Sequence, residues 1–268
     1  MDLKQDHVIL KGDRYQVEKL DNGLNMLELW YADIESIEEL EGLRDLENLH
    51  ILKIIEGSIK RINCLEQLKN LIILNLGGNQ ITKIEGLETL TELSTLILEG
   101  NSIKQIEGLE TLKKLSVLDL RFNNISEIKG LESNDYLYEL NLSYNTISVI
   151  NGLERLYSLT NINLSKNQIE KIEGLDALAE LRTLDLSDNC IIVINGLDNL
   201  TNLKALHLGG NQINQLQGLE NLKSLIELSI EQNPIPNKVL EEITNSYRQI
   251  SGQKAVKYCQ SRNKIKKI

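Results

Sequence analysis

A 22-residue period constrains this chain more than any other feature of its sequence. Asparagine recurs at one phase of the period, and the residues around it follow the pattern L-x-x-L-x-x-L-x-x-L-x-L-x-x-N-x-I-x-x-I-x-G. The recurring asparagines are Asn79, Asn101, Asn123, Asn145, Asn167, Asn189, Asn211 and Asn233. A fixed period of this length is typical of stacked supersecondary units and not of a globule with one central core.

Each period predicts one short strand. Leu96 and Leu98 are separated by one residue and flanked by variable positions, as in a strand with one buried face. A single 22-residue unit cannot bury its leucines alone, so neighbours must stack and align their strands. The expected fold class is therefore α/β: a solenoid with a curved parallel sheet on its concave side and short helical or irregular segments on its convex side.

The recurring asparagines and glycines are explained by this fold. An asparagine side chain turned inward after a strand can bond the free backbone groups of its own loop and of the adjacent loop, so we assign all eight a structural role. Glycines recur at the same period from Gly86 to Gly218, where a turn needs a backbone angle that other residues resist. The doublets Gly77-Gly78 and Gly209-Gly210 occupy repeat positions and are not expected to bind nucleotides.

The repeats run through nearly the whole chain as one continuous domain. Two divergent units precede Asn79 and carry Gly57 and Ala32 at the asparagine position, so residues 24–235 hold about ten strands. Residues 1–23 are predicted to form an N-terminal cap, as a strand or hairpin that includes Val8-Ile9-Leu10 and Tyr15. Residues 236–268 are predicted to form a C-terminal helical cap, with Val239, Leu240, Ile243 and Tyr247 at helical spacing, followed by a basic tail.

Charge limits the classes of partner. With 29 Lys and Arg against 39 Asp and Glu the net charge is −10, which disfavours nucleic acid and anionic membrane. The exception is residues 248–268, which hold seven basic residues and no acidic one. We expect this tail to be a solvated, partly disordered end, although it could contact nucleic acid, a membrane or an acidic protein surface.

The N-terminus and the cysteines indicate an intracellular protein. No apolar run of signal-peptide or membrane-span length is present. Cys64, Cys190 and Cys259 are odd in number and fall in different repeats or the cap, so we expect them to be reduced and mostly buried. We expect a soluble, monomeric protein in the cytoplasm, with the nucleus as an alternative.

The positions that the repeat leaves variable are the candidates for binding a partner, since they face out of the concave sheet. The chain's one phenylalanine, Phe122, and Tyr144 share a phase on neighbouring strands, which predicts a spacing of about 5 Å. An aromatic pair with charges around it is typical of a protein-binding hot spot, although the two rings could instead cover each other. The candidate partner-binding residues are Ile97, Glu99, Val117, Asp119, Arg121, Phe122, Glu139, Tyr144, Lys166, Asp185 and Asp188. Trp30 and Tyr31 are expected to pack under the N-terminal cap.

The sequence offers no catalytic constellation. It contains no G-x-x-x-x-G-K-[ST], H-E-x-x-H, G-x-S-x-G or paired C-x-x-C motif. Its histidines are dispersed, and Asp119 and Asp185 share a phase but lie three strands apart, beyond the spacing of paired catalytic carboxylates. We therefore expect a protein that is not an enzyme and that holds no metal or cofactor.

The repeat, with its Ile-x-x-Ile-x-Gly-Leu segment, resembles the short 22-residue class of leucine-rich repeats over residues 40–235. That class includes a nuclear regulatory subunit of type-1 protein phosphatase and an axonemal dynein light chain. Asn134, which replaces a core leucine, is similar to a variation in the phosphatase regulator. The resemblance implies binding of proteins through acidic and aromatic residues of the concave face, to which Glu99, Phe122 and Tyr144 are similar in kind.

Three functions remain open from the sequence. The first is a non-catalytic scaffold or adaptor that holds one protein partner on the concave face. The second is the narrower case of a regulatory subunit of a type-1-like protein phosphatase. The third is a linker that docks through its basic C-terminal tail on nucleic acid or membrane.

Overall fold

The computed structural model describes residues 6–244 and 250–265. The chain is divided into two compact units, which we describe separately. The first unit is the chain up to Ile125 together with Lys129–Leu137, and the second unit is Ser126–Ile128 together with the chain from Tyr138 onward.

The first unit begins with a hairpin. Strands β1 (His7–Leu10) and β2 (Asp13–Gln16) pair antiparallel, with Val8 opposite Tyr15. Two backbone hydrogen bonds join the hairpin to the first repeat: the N–H of Ile9 donates to the carbonyl of Glu41 at 3.0 Å, and the reverse bond is 2.9 Å. Residues 7–16, which lie within the segment expected to form a strand or hairpin, thus form a hairpin.

A second sheet in this unit carries the repeats. Its strands are β3 (Glu18–Lys19), β4 (Asn25–Trp30), β5 (Ile51–Ile55), β6 (Ile73–Asn75), β7 (Thr95–Ile97) and β8 (Val117–Asp119). β3 pairs antiparallel with β4, and β4 to β8 pair in parallel in sequence order. Leu74, Leu96 and Leu118 are register partners at the strand centres and are fully buried. The single buried face of each strand follows from the leucine spacing.

The second unit continues the same pattern. Its strands are β9 (Glu139–Asn141), β10 (Asn161–Asn163), β11 (Thr183–Asp185), β12 (Ala205–His207) and β13 (Glu227–Ser229). They pair in parallel and in sequence order, with Leu140, Ile162 and Leu184 in register. The strands β4 to β13 thus supply one parallel strand for each of the ten predicted repeats.

The segments opposite the sheet are short turns. In one repeat the N–H of Leu90 donates to the carbonyl of Leu87 at 3.0 Å, and the N–H of Leu93 donates to the carbonyl of Leu90 at 3.0 Å. Leucines three residues apart therefore fall on the inner side of successive tight turns, where they are fully buried. The connection between β4 and β5 contains two 3-10 helices, Ile37–Glu39 and Leu43–Asp45. The predicted parallel-sheet solenoid is confirmed.

The C-terminal end of the second unit is helical. Helix α1 (Asn237–Ile243) starts after Pro236 and buries Ile243, whereas Tyr247, which was expected to extend the same helix, lies outside the described residues. Helix α2 (Gly252–Ile265) follows.

Helix α2 corrects the expectation of a partly disordered tail. Ala255, Val256 and Cys259 are buried on one side of the helix. The side-chain amide of Gln253 donates to the carbonyl of Leu225 at 2.8 Å. An apolar stripe at helical spacing thus closes the exposed end of the last repeat, as a solenoid requires. Within the predicted tail, residues 248, 249 and 266–268 lie outside the described residues.

Candidate functional site

The face of each sheet that points away from the leucine core is open to solvent, and we call it the open face. On β7, Leu96 is fully buried while Thr95 and Ile97, which flank it, are half-buried on the open face. The core does not require particular side chains at these flanking positions. The open face is therefore where sequence variation can encode a partner.

The repeated asparagines lie below this face and are fully engaged there. The side-chain oxygen of Asn101 accepts a hydrogen bond from the N–H of Ile81 at 2.9 Å. Its nitrogen donates to the carbonyls of Leu76 and Leu98, both at 3.0 Å. Since Ile81 and Leu76 belong to the preceding repeat, the buried amide joins two repeats and has no group left for a partner.

The residue before the asparagine position of each repeat, which Ala32 and Gly57 occupy in the first two repeats, has left-handed backbone geometry. Glycine occupies this position at Gly78, Gly100 and Gly210. The other repeats place a larger side chain there with φ between 54° and 57°: Tyr31, Glu56, Phe122, Tyr144, Lys166, Asp188 and Gln232. This geometry costs a residue with a Cβ about 1–2 kcal/mol relative to glycine. These side chains are therefore kept at the edge of the open face against a local preference for glycine.

The open face of the first unit contains an apolar strip. Ile73, Thr95 and Val117 are direct register neighbours on β6, β7 and β8. Ile97 lies in the next row, between Asn75 and Asp119. We call Ile73, Ile97 and Val117 the apolar strip; all three are half-buried, so each retains surface that a partner could cover.

Charged residues and Phe122 border one side of this strip. The guanidinium of Arg121 forms an ion pair with the carboxylate of Glu99 on the neighbouring repeat, and its Nε lies 3.4 Å from Oδ2 of Asp119. Phe122 is 49% exposed. The structure therefore brings together the predicted residues Ile97, Glu99, Asp119 and Arg121, and places Val117 and Phe122 on the same repeat as Asp119 and Arg121.

In the second unit, three predicted residues form a row across adjacent repeats. Nζ of Lys166 lies 5.5 Å from the centre of the Tyr144 ring and 2.6 Å from Oδ2 of Asp188. The hydrogen bond to Asp188 raises the pKa of Lys166 above its ordinary value. The row thus combines a cation–π contact with an ion pair.

Two predicted acidic residues also have a local structural role. Oδ1 of Asp119 accepts a hydrogen bond from the N–H of Arg121 at 3.1 Å, and Oδ1 of Asp185 accepts one from the N–H of Ser187 at 2.9 Å. Such bonds stabilise the turn that ends the strand. The signal available in the sequence is an aspartate or asparagine two residues before the residue whose N–H it binds.

Glu139 and Tyr144 lie in the second unit, whereas Phe122 lies in the first. Glu139 is exposed on β9, and Tyr144 is 42% exposed. The expected spacing of about 5 Å between Phe122 and Tyr144 stays a prediction.

Trp30 lies on the open face, so the expectation that it packs under the N-terminal cap is wrong. Trp30 is 54% exposed and Tyr31 is 75% exposed. The ring N–H of Trp30 donates to Oε1 of Glu28 at 2.9 Å. Because Leu27 and Leu29 point into the core, strand alternation places Glu28 and Trp30 on the opposite side. That alternation was the signal available in the sequence.

Other chemistry is sparse in the described part of the chain. Among residues 6–244 and 250–265, no group of three or more His, Cys, Asp or Glu side chains is arranged to hold a metal ion. Over the same residues, the model contains no helix with the length and apolar character needed to cross a membrane. Cys64 and Cys259 are buried and Cys190 is half-buried, all as free thiols. Burial raises the pKa of Cys259 to about 12.

Comparisons with known proteins identify the repeat. Residues 133–259 match a family model described as a leucine-rich repeat, and residues 91–133 match a model of two leucine-rich-repeat copies. A comparison with curated protein sequences found no match.

Several solved structures are similar. An internalin of Listeria monocytogenes is 28% identical with a TM-score of 0.66, and the alignment covers 79% of this chain and 68% of the internalin. Internalin C2 of the same organism is 31% identical with a TM-score of 0.66, with 73% of this chain and 86% of that chain covered. A leucine-rich-repeat protein of Leptospira interrogans is 26% identical with a TM-score of 0.59, with coverages of 73% and 64%.

Proposed function

The chain belongs to the leucine-rich-repeat proteins, and from that premise we propose that it is a non-catalytic adaptor that binds a protein partner on the open face of its sheet. The leucine-rich-repeat fold is typically a scaffold for protein–protein interaction, because a stack of repeats presents a long, regular surface. Function must be argued from the residues on that surface, since one fold hosts many functions.

The observation that carries the proposal is the apolar strip together with Phe122. Ile73, Ile97 and Val117 form an apolar surface on a face that the core does not need. The exposed Phe122 beside it occupies a position where glycine would relax the backbone. Aromatic residues and arginine around an apolar centre are typical of the residues that dominate binding energy at protein interfaces.

The proposed interface is centred on the first unit. Its residues are Ile97, Glu99, Val117, Asp119, Arg121 and Phe122, with Ile73 added from the structure. Glu139, Tyr144, Lys166, Asp185 and Asp188 of the second unit are proposed as a secondary contact region. That region is polar, and two of its four charged residues, Lys166 and Asp188, pair with each other, so it suits specificity better than affinity.

Narrower forms of the proposal follow from the sequence. Regulation of a type-1-like protein phosphatase is supported by the resemblance of the repeat and by Asn134 at a core position. A location in the cytoplasm is supported by three cysteines that lie as free thiols. A linker that docks through its tail has less support, because helix α2 is packed against the last repeat.

The test compares two glycine substitutions at equivalent positions. Phe122→Gly removes the exposed ring, and Gln232→Gly makes the same backbone change in the last repeat. Both variants and the wild type are used as bait in lysate of the source cells, after circular dichroism shows that each is folded. We expect one protein to be retained by wild type and Gln232→Gly and lost from Phe122→Gly.

Recovery of the same proteins in the same amounts by all three baits would contradict the proposed interface. Tyr144→Gly, tested in parallel, measures the contribution of the second unit. A metallophosphatase among the proteins lost from Phe122→Gly would select the narrower function.

A further inference from the structure

Four side chains at or near the ends of β4 and β5 occupy neighbouring positions that the proposed interface does not use. The rings of Trp30 and Tyr31 have centroids 6.2 Å apart and are tilted by 44°. The carboxylate of Glu28 lies beside Trp30, held by the ring N–H and by Lys53 at 3.4 Å. Glu56 follows β5 at the same turn position that Tyr31 has after β4. We call Trp30, Tyr31, Glu28 and Glu56 the aromatic–acidic cluster.

We propose that the aromatic–acidic cluster binds an arginine or lysine side chain of the protein partner. This inference rests on the proposed function and names a chemical feature of the partner. The cationic group would lie against the exposed rings of Trp30 and Tyr31 and form an ion pair with the carboxylate of Glu56. Cations are attracted to aromatic faces within about 6 Å, most strongly to tryptophan.

Glu56 is the available counter-ion. Its carboxylate is exposed and lies over Gly78, where a Cβ would come within 2.8 Å of the carboxyl carbon. Among the described residues, no hydrogen bond or ion pair engages this carboxylate. Lys53, which lies on the same strand β5, is already paired with Glu28.

The second unit shows the same contact completed within the chain. There the turn positions of three successive repeats hold Tyr144, Lys166 and Asp188, so a lysine bridges a tyrosine ring and a carboxylate. In the first unit the corresponding positions begin with Tyr31 and Glu56 and contain no lysine or arginine. The ring and the carboxylate are present and the cation is supplied from outside.

Charge favours this occupant. The whole chain carries a net charge of −10. Lys53 and Arg121 on the open face of the first unit are both paired with carboxylates, so neither presents an unpaired positive charge to a basic segment. Opposite charge at an interface accelerates association and selects the partner.

Intrinsic fluorescence tests the proposal directly, because Trp30 is the only tryptophan in the chain. The probes are a short blocked peptide with arginine between two valines, the same peptide with lysine, and the same peptide with glutamine. We expect the arginine and lysine peptides to change Trp30 emission saturably and to bind less tightly as salt is added. The glutamine peptide should bind about tenfold more weakly.

Three variants assign the response. Glu56→Gln removes the charge and keeps the side-chain shape. Tyr31→Gly removes one ring and places glycine at a turn position that is already glycine in two other repeats, at Gly78 and Gly100. Each should weaken binding of the arginine peptide several-fold, whereas Glu231→Gln, which removes a carboxylate exposed on the last repeat, should not.

Two results would overturn the proposal: no change in Trp30 emission with the arginine peptide up to about 10 mM, or equal affinity for the arginine and glutamine peptides. Neither result would contradict the proposed adaptor function. If Tyr31→Gly and Glu56→Gln retain the protein that Phe122→Gly loses, the open face is an interface and the cation site is wrong.

Discussion

Asn167 accepts a hydrogen bond on its side-chain oxygen from the backbone N–H of Ile147, 20 residues earlier, at 2.9 Å. The nitrogen of the same amide donates to the carbonyl of Leu142 at 2.9 Å and to that of Leu164 at 3.1 Å. One side chain therefore satisfies buried backbone groups of two repeats. These two adjacent repeats are therefore held together by hydrogen bonds as well as by the leucine core.

Replacement of Asn167 by alanine should lower the free energy of unfolding by about 3 kcal/mol, because buried backbone groups lose their partners. Asn151→Ala is the matched control: Asn151 is exposed on the adjacent repeat, and its loss should change stability by less than about 0.5 kcal/mol. Urea denaturation of the two variants measures the difference. Equal stability would show that water replaces the lost bonds.

Asn134→Leu should stabilise the protein by about 1–2 kcal/mol. Asn134 is fully buried at a position where other repeats have leucine, and its side-chain oxygen has no hydrogen-bond partner among the described residues. Its nitrogen donates to the carbonyls of Leu109 and Leu112, so the gain is smaller than removal of an entirely unpaired amide would give. A lower midpoint of thermal unfolding for Asn134→Leu than for wild type would refute this prediction.

Phe122→Gly should be more stable than Phe122→Ala by about 1 kcal/mol. Both variants lose the ring, and only alanine keeps the cost of a Cβ at φ 55°. Equilibrium unfolding in urea compares them. If the alanine variant is as stable as the glycine variant, the left-handed geometry is not maintained at this turn. Glycine is then no longer the less destabilising substitution for testing the proposed interface.

Stability should depend on Cys259 at alkaline pH. Burial raises the pKa of this thiol from 9.0 to about 12, so the folded state keeps its proton where the unfolded state loses it. The free energy of unfolding should therefore fall between pH 9 and 12, and fall less steeply in Cys259→Ala. Parallel urea titrations over this range measure both slopes, and identical slopes would exclude a contribution from this thiol.

The 22-residue repeat pattern was sufficient to predict most of the fold. Leucine spacing fixes which face of each strand is buried, and the 22-residue period fixes ten strands and their order. It could not predict helix α2, since Ala255, Val256 and Cys259 form a weak apolar stripe among polar and basic residues. Packing against the last repeat stabilises that element.

The position of the candidate site was predictable from the sequence, whereas the hydrogen bonds and burial of its individual side chains were not. The phase of the repeat locates Ile97, Val117 and Phe122 on the open face. It does not show that the side chain of Asp119 caps a turn, because that depends on local backbone geometry. Nor does it show that Ser143, at a variable position of the repeat, is only 4% exposed and donates its hydroxyl to Oδ1 of Asn141.

The asparagine bonds also restrict how such a chain can change in length. Each asparagine completes the turn of the repeat before it, as Asn211 does for Ile191 and Asn233 for Ile213. After a deletion or duplication of 22 residues inside a unit, every asparagine again has an equivalent backbone N–H in the preceding repeat. A deletion or duplication of any other length leaves one asparagine without that hydrogen bond. Gain or loss of whole repeats is therefore the route by which the open face can lengthen or shorten without redesign of the core.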